Sequence, residues 1–257
     1  LAVGYYAFMR LDMMDRNRDV NLFSLVPSSS VGVLESSNVH TFFDDYSMLN
    51  YGDELERMQF PGLFNFLIHG LNMYAGDNAH GLSHQMNQIV VSFHQPVTPH
   101  NQVVYFRLGM ADEQLLSDML QEYMHGNFLP KEEEYRGKKI LIYPLSHDEF
   151  LATYTEDGFV VLSYQKRLLE EVIDAQLDET ALGYDAVFSR ALERKKSKDF
   201  LTLYGRSSSI PALNLGNESW SEYDFHLNSD VVYLTGDTFV SEDTVEKEHI
   251  SKCLKDI

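Results

Sequence analysis

Alternating apolar and polar positions mark strands most clearly between residues 88 and 107. In MNQIVVSFHQ, one set of positions is apolar and alternates with a second, mixed set: Ile89, Val91 and Phe93 against Val90, Ser92 and His94. This spacing indicates a strand with one clearly apolar face. Pro96 ends it, and NQVVYFRLGM supplies the next strand after a short loop. A connection this short predicts that the two strands pair antiparallel.

Helices are indicated where the apolar spacing changes to three or four residues. QKRLLEEVIDAQL is predicted as a helix whose inward residues are Leu168, Leu169, Val172 and Ile173. ADEQLLSDMLQEYMHG is predicted as a second helix, with Leu116, Leu120 and Tyr123 on one side. Further helices are predicted in VHTFFDDYSMLN, FPGLFNFLIHGLNMYAG, DAVFSRALERKKSK and the charged C-terminal tail.

Turn residues between alternating runs predict hairpins. KKILIYPL and EFLATYTEDGFVVLSY hold three strands, with a tight turn at Asp157 and Gly158. SEYDFHLNSDVVYLTGDTF is predicted as a hairpin that turns between Asn228 and Asp230. Single strands are predicted around Val33 and in DFLTLYG. Together these elements predict an α+β fold, a mixed, largely antiparallel sheet with helices packed mainly on one face.

The chain divides into a short N-terminal segment, residues 1–24, and one α+β domain, residues 25–257, because no low-complexity linker interrupts the latter. LAVGYYAFMR is too short to cross a bilayer, which takes about 20 apolar residues. Its aromatic residues followed by Arg10 fit the end of a membrane anchor at the water interface. The same apolar run continuing into LDMMDRN fits a buried first helix, so the segment is an anchor remnant or an N-terminal helix.

The net charge of the chain limits the classes of partner that it is expected to bind. The chain carries 39 acidic residues against 20 Lys and Arg, a net charge of −19. Nucleic-acid backbones and anionic lipids attract basic patches, so neither is an expected partner. The charge favours cationic partners or metal-ion screening, or else it is a solvated acidic surface without a particular partner. The single cysteine, Cys253, argues against an internal disulfide framework.

Four histidines form the main candidate for chemistry. His80, His84, His94 and His100 follow Asp77 within a short stretch, and imidazoles with a carboxylate are the ligands of zinc or copper sites. The spacing fits no known ligand motif, so scattered surface histidines are the alternative. The serine runs at 28–30 and 207–209 lack the context of a nucleophile and fit turn chemistry. We therefore assign no catalytic residue, metal ligand or cofactor.

Several tyrosines fall on predicted strands, at Tyr105, Tyr154, Tyr164 and Tyr204. If exposed, they form a recognition surface for protein or glycan. Half-buried strand tyrosines are the alternative.

A resemblance to a known family rests on five stretches in a fixed order: LVPSSSVGVLES, VVYFRLGMADEQLLSDML, YRGKKILIYPL, DGFVVLSYQKRLLEEVID and YDAVFSRAL. From about Val31 to Gly205, about two-thirds of the chain, this order resembles a group of bacterial extracytoplasmic domains of unknown function, often preceded by a membrane anchor. The resemblance implies an α+β fold and a location outside the cytoplasm. It supplies no catalytic residues.

From these observations we expect a non-enzymatic, periplasmic or surface domain of a larger bacterial envelope protein, with a binding or scaffolding role. Its partner is expected to be a protein or another envelope component, and it meets the membrane only through an N-terminal anchor. The alternatives are a metal-dependent or serine hydrolase centred on the region from His80 to His100, and a cytoplasmic regulatory module.

Overall fold

The computed structural model describes residues 20–36, 88–98, 100–107, 116, 120, 129–145, 149–156, 158–194, 201–209, 219–227 and 231–240. The described strands are β1 (Gly32–Ser36), β2 (Ile89–Phe93), β3 (Gln102–Arg107), β4 (Lys131–Tyr135), β5 (Lys138–Pro144), β6 (Phe150–Glu156), β7 (Phe159–Ser163), β8 (Thr202–Arg206), β9 (Trp220–Leu227) and β10 (Val232–Phe239). The helices are α1 (Lys166–Leu177) and α2 (Ala186–Arg194), with 3-10 turns at Leu22–Ser24, Leu182–Tyr184 and Ser207–Ser209.

All ten strands form one sheet in the order β10-β9-β8-β1-β2-β3-β7-β6-β5-β4. Every pairing between described strands is antiparallel. The prediction of a largely antiparallel sheet is therefore confirmed. The prediction that the sheet is mixed is wrong for its described part, because none of the described strands pair in parallel. Most neighbours are joined by hairpins or short loops, and such connections produce antiparallel pairs.

β2 and β3 pair antiparallel, as the sequence predicted, with Val91 opposite Val104, and the pair lies in the middle of the sheet. On the other side of β2 lies β1, which also pairs with β8. Residues 32–35 thus pair with residues 202–205, so two strands that are far apart in the sequence are neighbours in the middle of the sheet.

The two faces of the sheet are defined by alternate residues of each strand. The first face carries Val33, Tyr105, Val161, Tyr154, Tyr204 and Trp220, and the second face carries Leu34, Val91, Val104, Phe106, Val160 and Leu162. All twelve side chains are buried. Burial on both faces explains why the central strands read as continuous apolar runs, as in VVYF and FVVLS.

Both described helices contact the first face. The predicted inward residues of α1 are fully buried and belong to the same core cluster as Val33 and Tyr105. On α2, the ring of Phe188 lies 5.3 Å from the ring of Tyr204 and 4.9 Å from that of Trp220. The apolar stripe of each helix is therefore the surface that covers the sheet.

Residues 20–26 complete the core at one end of α2. Leu22 and Val26 are fully buried, and the ring of Phe23 lies 5.5 Å from that of Phe188. A side chain at Gly183 would meet the backbone of Phe23 at 3.0 Å, so glycine permits the two 3-10 turns to touch. The described part of the 1–24 segment thus packs within the domain, and residues 1–19 lie outside the description.

One strand was missed. β4 forms a hairpin with β5 through Arg136 and Gly137, both at positive φ. The predicted turn at Gly158 and the hairpin of β9 with β10 are confirmed. Leu116 and Leu120 are helical and buried as predicted, whereas the helices predicted between residues 38 and 76 and in the tail lie outside the described residues.

Candidate functional site

The histidine cluster is only partly described. His80 and His84 lie outside the described residues. His94 is buried with 3% of its surface exposed, whereas His100 is exposed and lies beside Glu149 and Tyr164. Among the residues that the structure describes, no group of three or more His, Cys, Asp or Glu side chains is placed to hold a metal ion.

His94 instead belongs to a buried hydrogen-bonded chain of three side chains. Ser92 Oγ lies 2.9 Å from His94 Nε2 and 2.9 Å from the hydroxyl of Tyr105. Ser92 and His94 are two positions apart, which places both on the first face, and Val103 of β3 pairs with Ser92. A serine hydroxyl can donate one hydrogen bond and accept others, so Ser92 is able to serve both neighbours at once.

Burial determines the protonation states of His94 and Tyr105 in this hydrogen-bonded group. Removal from water lowers the pKa of His94 to about 4, and the positive charge of Arg167 lowers it in the same direction. Burial also raises the pKa of the Tyr105 phenol. His94 is therefore a neutral imidazole near pH 7, and Tyr105 is a neutral phenol.

Helix α1 carries an ion pair that acts electrostatically on these buried side chains. Arg167 pairs with Glu171 one helical turn later, and Ser29 Oγ donates a hydrogen bond to Glu171 Oε2 at 3.2 Å. The same carboxylate raises the pKa of Tyr105, after the larger effect of burial. The first turns of α1 thus place one positive and one negative side chain next to the polar part of the core.

A hydrogen-bonded serine and histidine are the chemical elements of a nucleophile and its general base. Ser92 is fully buried, Tyr105 is fully buried, and His94 is nearly so. A substrate must reach the serine oxygen, and in this conformation the core encloses it. As it stands, the arrangement satisfies buried polar groups and holds β2 against β3.

A second polar group lies on the first face between β1 and β9. Glu35 is buried and accepts hydrogen bonds from Gln88 Nε2 at 2.9 Å and from the Tyr204 hydroxyl at 3.3 Å. Burial raises the pKa of Tyr204, and the negative charges of Glu35 and Glu222 raise it further. Tyr204 is therefore a hydrogen-bond donor that stabilises the buried carboxylate of Glu35.

Three of the four strand tyrosines are core residues. Tyr105, Tyr154 and Tyr204 are buried, so of the two alternatives for these residues the exposed recognition surface is excluded. Their hydroxyls find partners inside the protein, as when Tyr154 donates to Gln176 Oε1 at 2.6 Å. Tyr164 is half-buried, and its ring lies 5.4 Å from the ring of His100.

The edge strand β10 carries exposed apolar side chains. Tyr233 and Leu234 are 48% and 53% exposed, and Val231 just before the strand is exposed as well. Tyr233 stacks on His226 of β9, with ring centroids 4.6 Å apart and planes 18° apart. His226 Nε2 also lies 2.7 Å from Thr235 Oγ1. The sequence predicted this hairpin, but its position at the edge depends on the strand order.

The opposite edge of the sheet is very different. β4 has the sequence KEEEY, and its charged residues form ion pairs with β5 and α1, as between Lys139 and Glu132 at 2.8 Å and between Lys166 and Glu133 at 2.8 Å. Charged side chains on an edge discourage the pairing of another strand.

Comparisons with known proteins add little to this geometry. No known protein family matches the sequence, and no curated protein matches it either. Among solved structures, the chain is similar to the one described as "Structure of crystal form I of TP0453", with 9% sequence identity and a TM-score of 0.35. The alignment covers 91% of this chain and 98% of that chain.

One further observation concerns membranes. Neither α1 nor α2, the helices of the described residues, combines the length and apolar character that a bilayer-spanning helix requires.

Proposed function

We propose that this chain is a non-enzymatic, extracytoplasmic domain of a larger bacterial envelope protein, with a binding or scaffolding role and an N-terminal membrane anchor. The binding role is based on β10, which is an eight-residue edge strand with exposed Tyr233 and Leu234. Exposed apolar positions on a sheet edge are a common feature of surfaces that contact other proteins. The partner is a protein or another envelope component.

The location outside the cytoplasm is supported by the apolar N-terminal stretch LAVGYYAFMR and by the family resemblance described above. For the fold, we propose that helices pack mainly on one face of the sheet. The contacts of both α1 and α2 with the first face support this arrangement.

The native gene product in its own cells provides the test. Protease added to spheroplasts is expected to degrade the domain while a cytoplasmic marker protein survives, because only an extracytoplasmic chain is accessible. After mild cross-linking, the protein is expected in a discrete complex larger than itself. Protection of the domain until the cells are lysed would contradict the location, and recovery as an isolated chain would contradict the binding role.

The hydrogen bond between Ser92 and His94 favours a second candidate, a serine hydrolase whose site opens on substrate binding. A fluorophosphonate probe reacts with activated serines and distinguishes the two candidates. We expect no labelling of Ser92, because its hydroxyl is fully buried and also bonded to Tyr105. Labelling that disappears in Ser92→Ala and persists in a Ser29→Ala control would make the hydrolase the better assignment.

A further inference from the structure

β10 lacks the features by which proteins usually block a sheet edge. It is eight residues long, and no strand within the described ranges pairs with its outer side. The segment from Val231 to Val240 contains no lysine, arginine or proline. Most of its residues are exposed, including Thr235, Gly236 and Thr238. Long edges without lysine, arginine or proline are templates for the addition of another strand.

β10 is also paired with its neighbour β9 along its whole length. All eight of its residues are in register with β9, from Val232 opposite Leu227 to Phe239 opposite Trp220. Phe239 is buried at the far end, and Arg190 of α2 donates a hydrogen bond to the following carbonyl at 2.6 Å. A strand that is already ordered loses little conformational entropy when another strand pairs with it, so it binds more tightly than a flexible one.

The charge around β10 selects the kind of strand that fits. Asp237 is exposed on β10 itself, and Asp224 is half-buried on the neighbouring strand β9. Residues 219–240 contain neither lysine nor arginine. The whole chain carries a net charge of −19. A second copy of this chain would bring two such acidic hairpins together, whereas a cationic segment would be attracted to the edge.

We propose that β10 binds, by strand addition, an extended segment of a partner protein that alternates apolar residues with lysine or arginine. Alternate side chains of the incoming strand would lie beside Tyr233 on the first face and beside Leu234 on the second face. Backbone hydrogen bonds along β10 supply the affinity, and these two apolar neighbours with the acidic surroundings supply the selectivity. This assignment rests on the binding role proposed above and names the surface and the chemistry of the partner.

The test uses the full chain and a labelled nine-residue peptide, Lys-Val-Thr-Val-Lys-Val-Thr-Val-Lys, with binding followed by fluorescence anisotropy. Two matched peptides are compared with it: one has glutamate in place of lysine, and one carries N-methyl groups on alternate amides. The cationic peptide is expected to bind at least about tenfold more tightly than either. N-methylation keeps the charge but removes backbone donors, so it separates strand addition from plain electrostatic attraction.

A pair of variants locates the site. Leu234→Lys places a cation on the edge and is expected to weaken binding about tenfold. Leu129→Lys is the matched control, because Leu129 is 90% exposed just before β4 at the opposite edge and undergoes the same change of charge. It is expected to change binding by less than about twofold. Both positions are exposed, so both variants are expected to melt like the original chain.

Three results would overturn the proposal: absence of binding by the original chain, equal binding of the N-methylated peptide, or equal effects of the two lysine variants. A dimer of the chain that Leu234→Lys dissociates in sedimentation experiments would also overturn it, because a second copy would then be the occupant. If Leu234→Lys leaves the cross-linked complex in cells unchanged, the binding role stands while the assignment to β10 fails.

Discussion

His94 shows how a single residue couples this fold to pH. The imidazole hydrogen-bonds to Ser92 inside the core, where a charge is poorly solvated, and Arg167 adds a positive charge nearby. Two other polar groups act on these buried side chains. The neutral phenol of Tyr105 hydrogen-bonds to Ser92, and the carboxylate of Glu171 is paired with Arg167. Protonation of His94 is therefore disfavoured in the folded state and unhindered in the unfolded chain.

The free energy of unfolding is expected to decrease as the pH is lowered from 6.5 to 4. The folded pKa of His94 is about 4 against an ordinary value of 6.5, so in this interval only the unfolded chain takes up the proton. The contribution is complete above pH 6.5 and is lost as the pH falls. Between pH 7.5 and 5 the loss is on the order of 2 kcal/mol, measured by urea denaturation at both values.

His94→Gln is the control for this effect, since glutamine keeps a hydrogen-bonding side chain but does not titrate. The variant is expected to be less stable at pH 7.5 and to lose about 2 kcal/mol less between the two pH values. The same pH dependence in both proteins would show that another group is responsible.

Among the elements, α2 depends on one residue at its start. Asp185 Oδ1 accepts hydrogen bonds from the backbone N–H groups of Val187 at 2.9 Å and Phe188 at 2.7 Å. These donors have no partner within the helix, so the aspartate acts as its N-cap. The cap fixes the helix that presents Phe188 to Tyr204 and Trp220.

Asp185→Ala is expected to lower the free energy of unfolding by about 1 kcal/mol, because both N–H groups lose their acceptor. Asp185→Asn retains an acceptor oxygen and is expected to stay within a few tenths of a kcal/mol of the original chain. Thermal and urea denaturation of the three proteins measure the difference. An equal loss in both variants would assign the effect to the charge and not to the cap.

Elements were predictable from the sequence where apolar spacing or turn residues act locally. The inward residues of α1 and the turn at Gly158 follow from such short-range patterns. β4 was missed because KEEEY has no apolar alternation and becomes a strand only through its pairing with β5. The signal present was the pair Arg136 and Gly137, a turn between two short runs.

At the scale of the whole molecule, the burial of both faces of β2 was not predictable from its own pattern. The pattern of β2 indicated one clearly apolar face, and Ser92 and His94 are polar residues of the other face. Both residues are buried. Their polar atoms are satisfied because Ser92 hydrogen-bonds to His94 and to Tyr105 of the neighbouring strand. Such pairing depends on strand register, which the sequence alone does not provide.

The candidate sites depend on strand order in the same way. Tyr204 is a core residue because β8 lies beside β1 in the interior of the sheet, and Tyr233 is exposed because β10 lies at the edge. Both tyrosines occur in strands of similar sequence character. Nothing in the spacing of either segment distinguishes an inner strand from an outer one, so the sequence left open whether a strand tyrosine is buried or exposed.

The pairing of β1 with β8 also has a consequence for biosynthesis. Glu35 and Tyr204, which hydrogen-bond across these strands, are separated by 169 positions in the chain. At the usual rate of about 5–20 residues per second, a ribosome needs about 8 to 35 s to add that length. During this interval the nascent chain holds an apolar strand with one side unpaired. Any chaperone that accompanies the growing polypeptide therefore has a defined segment to shield and a defined moment to release it.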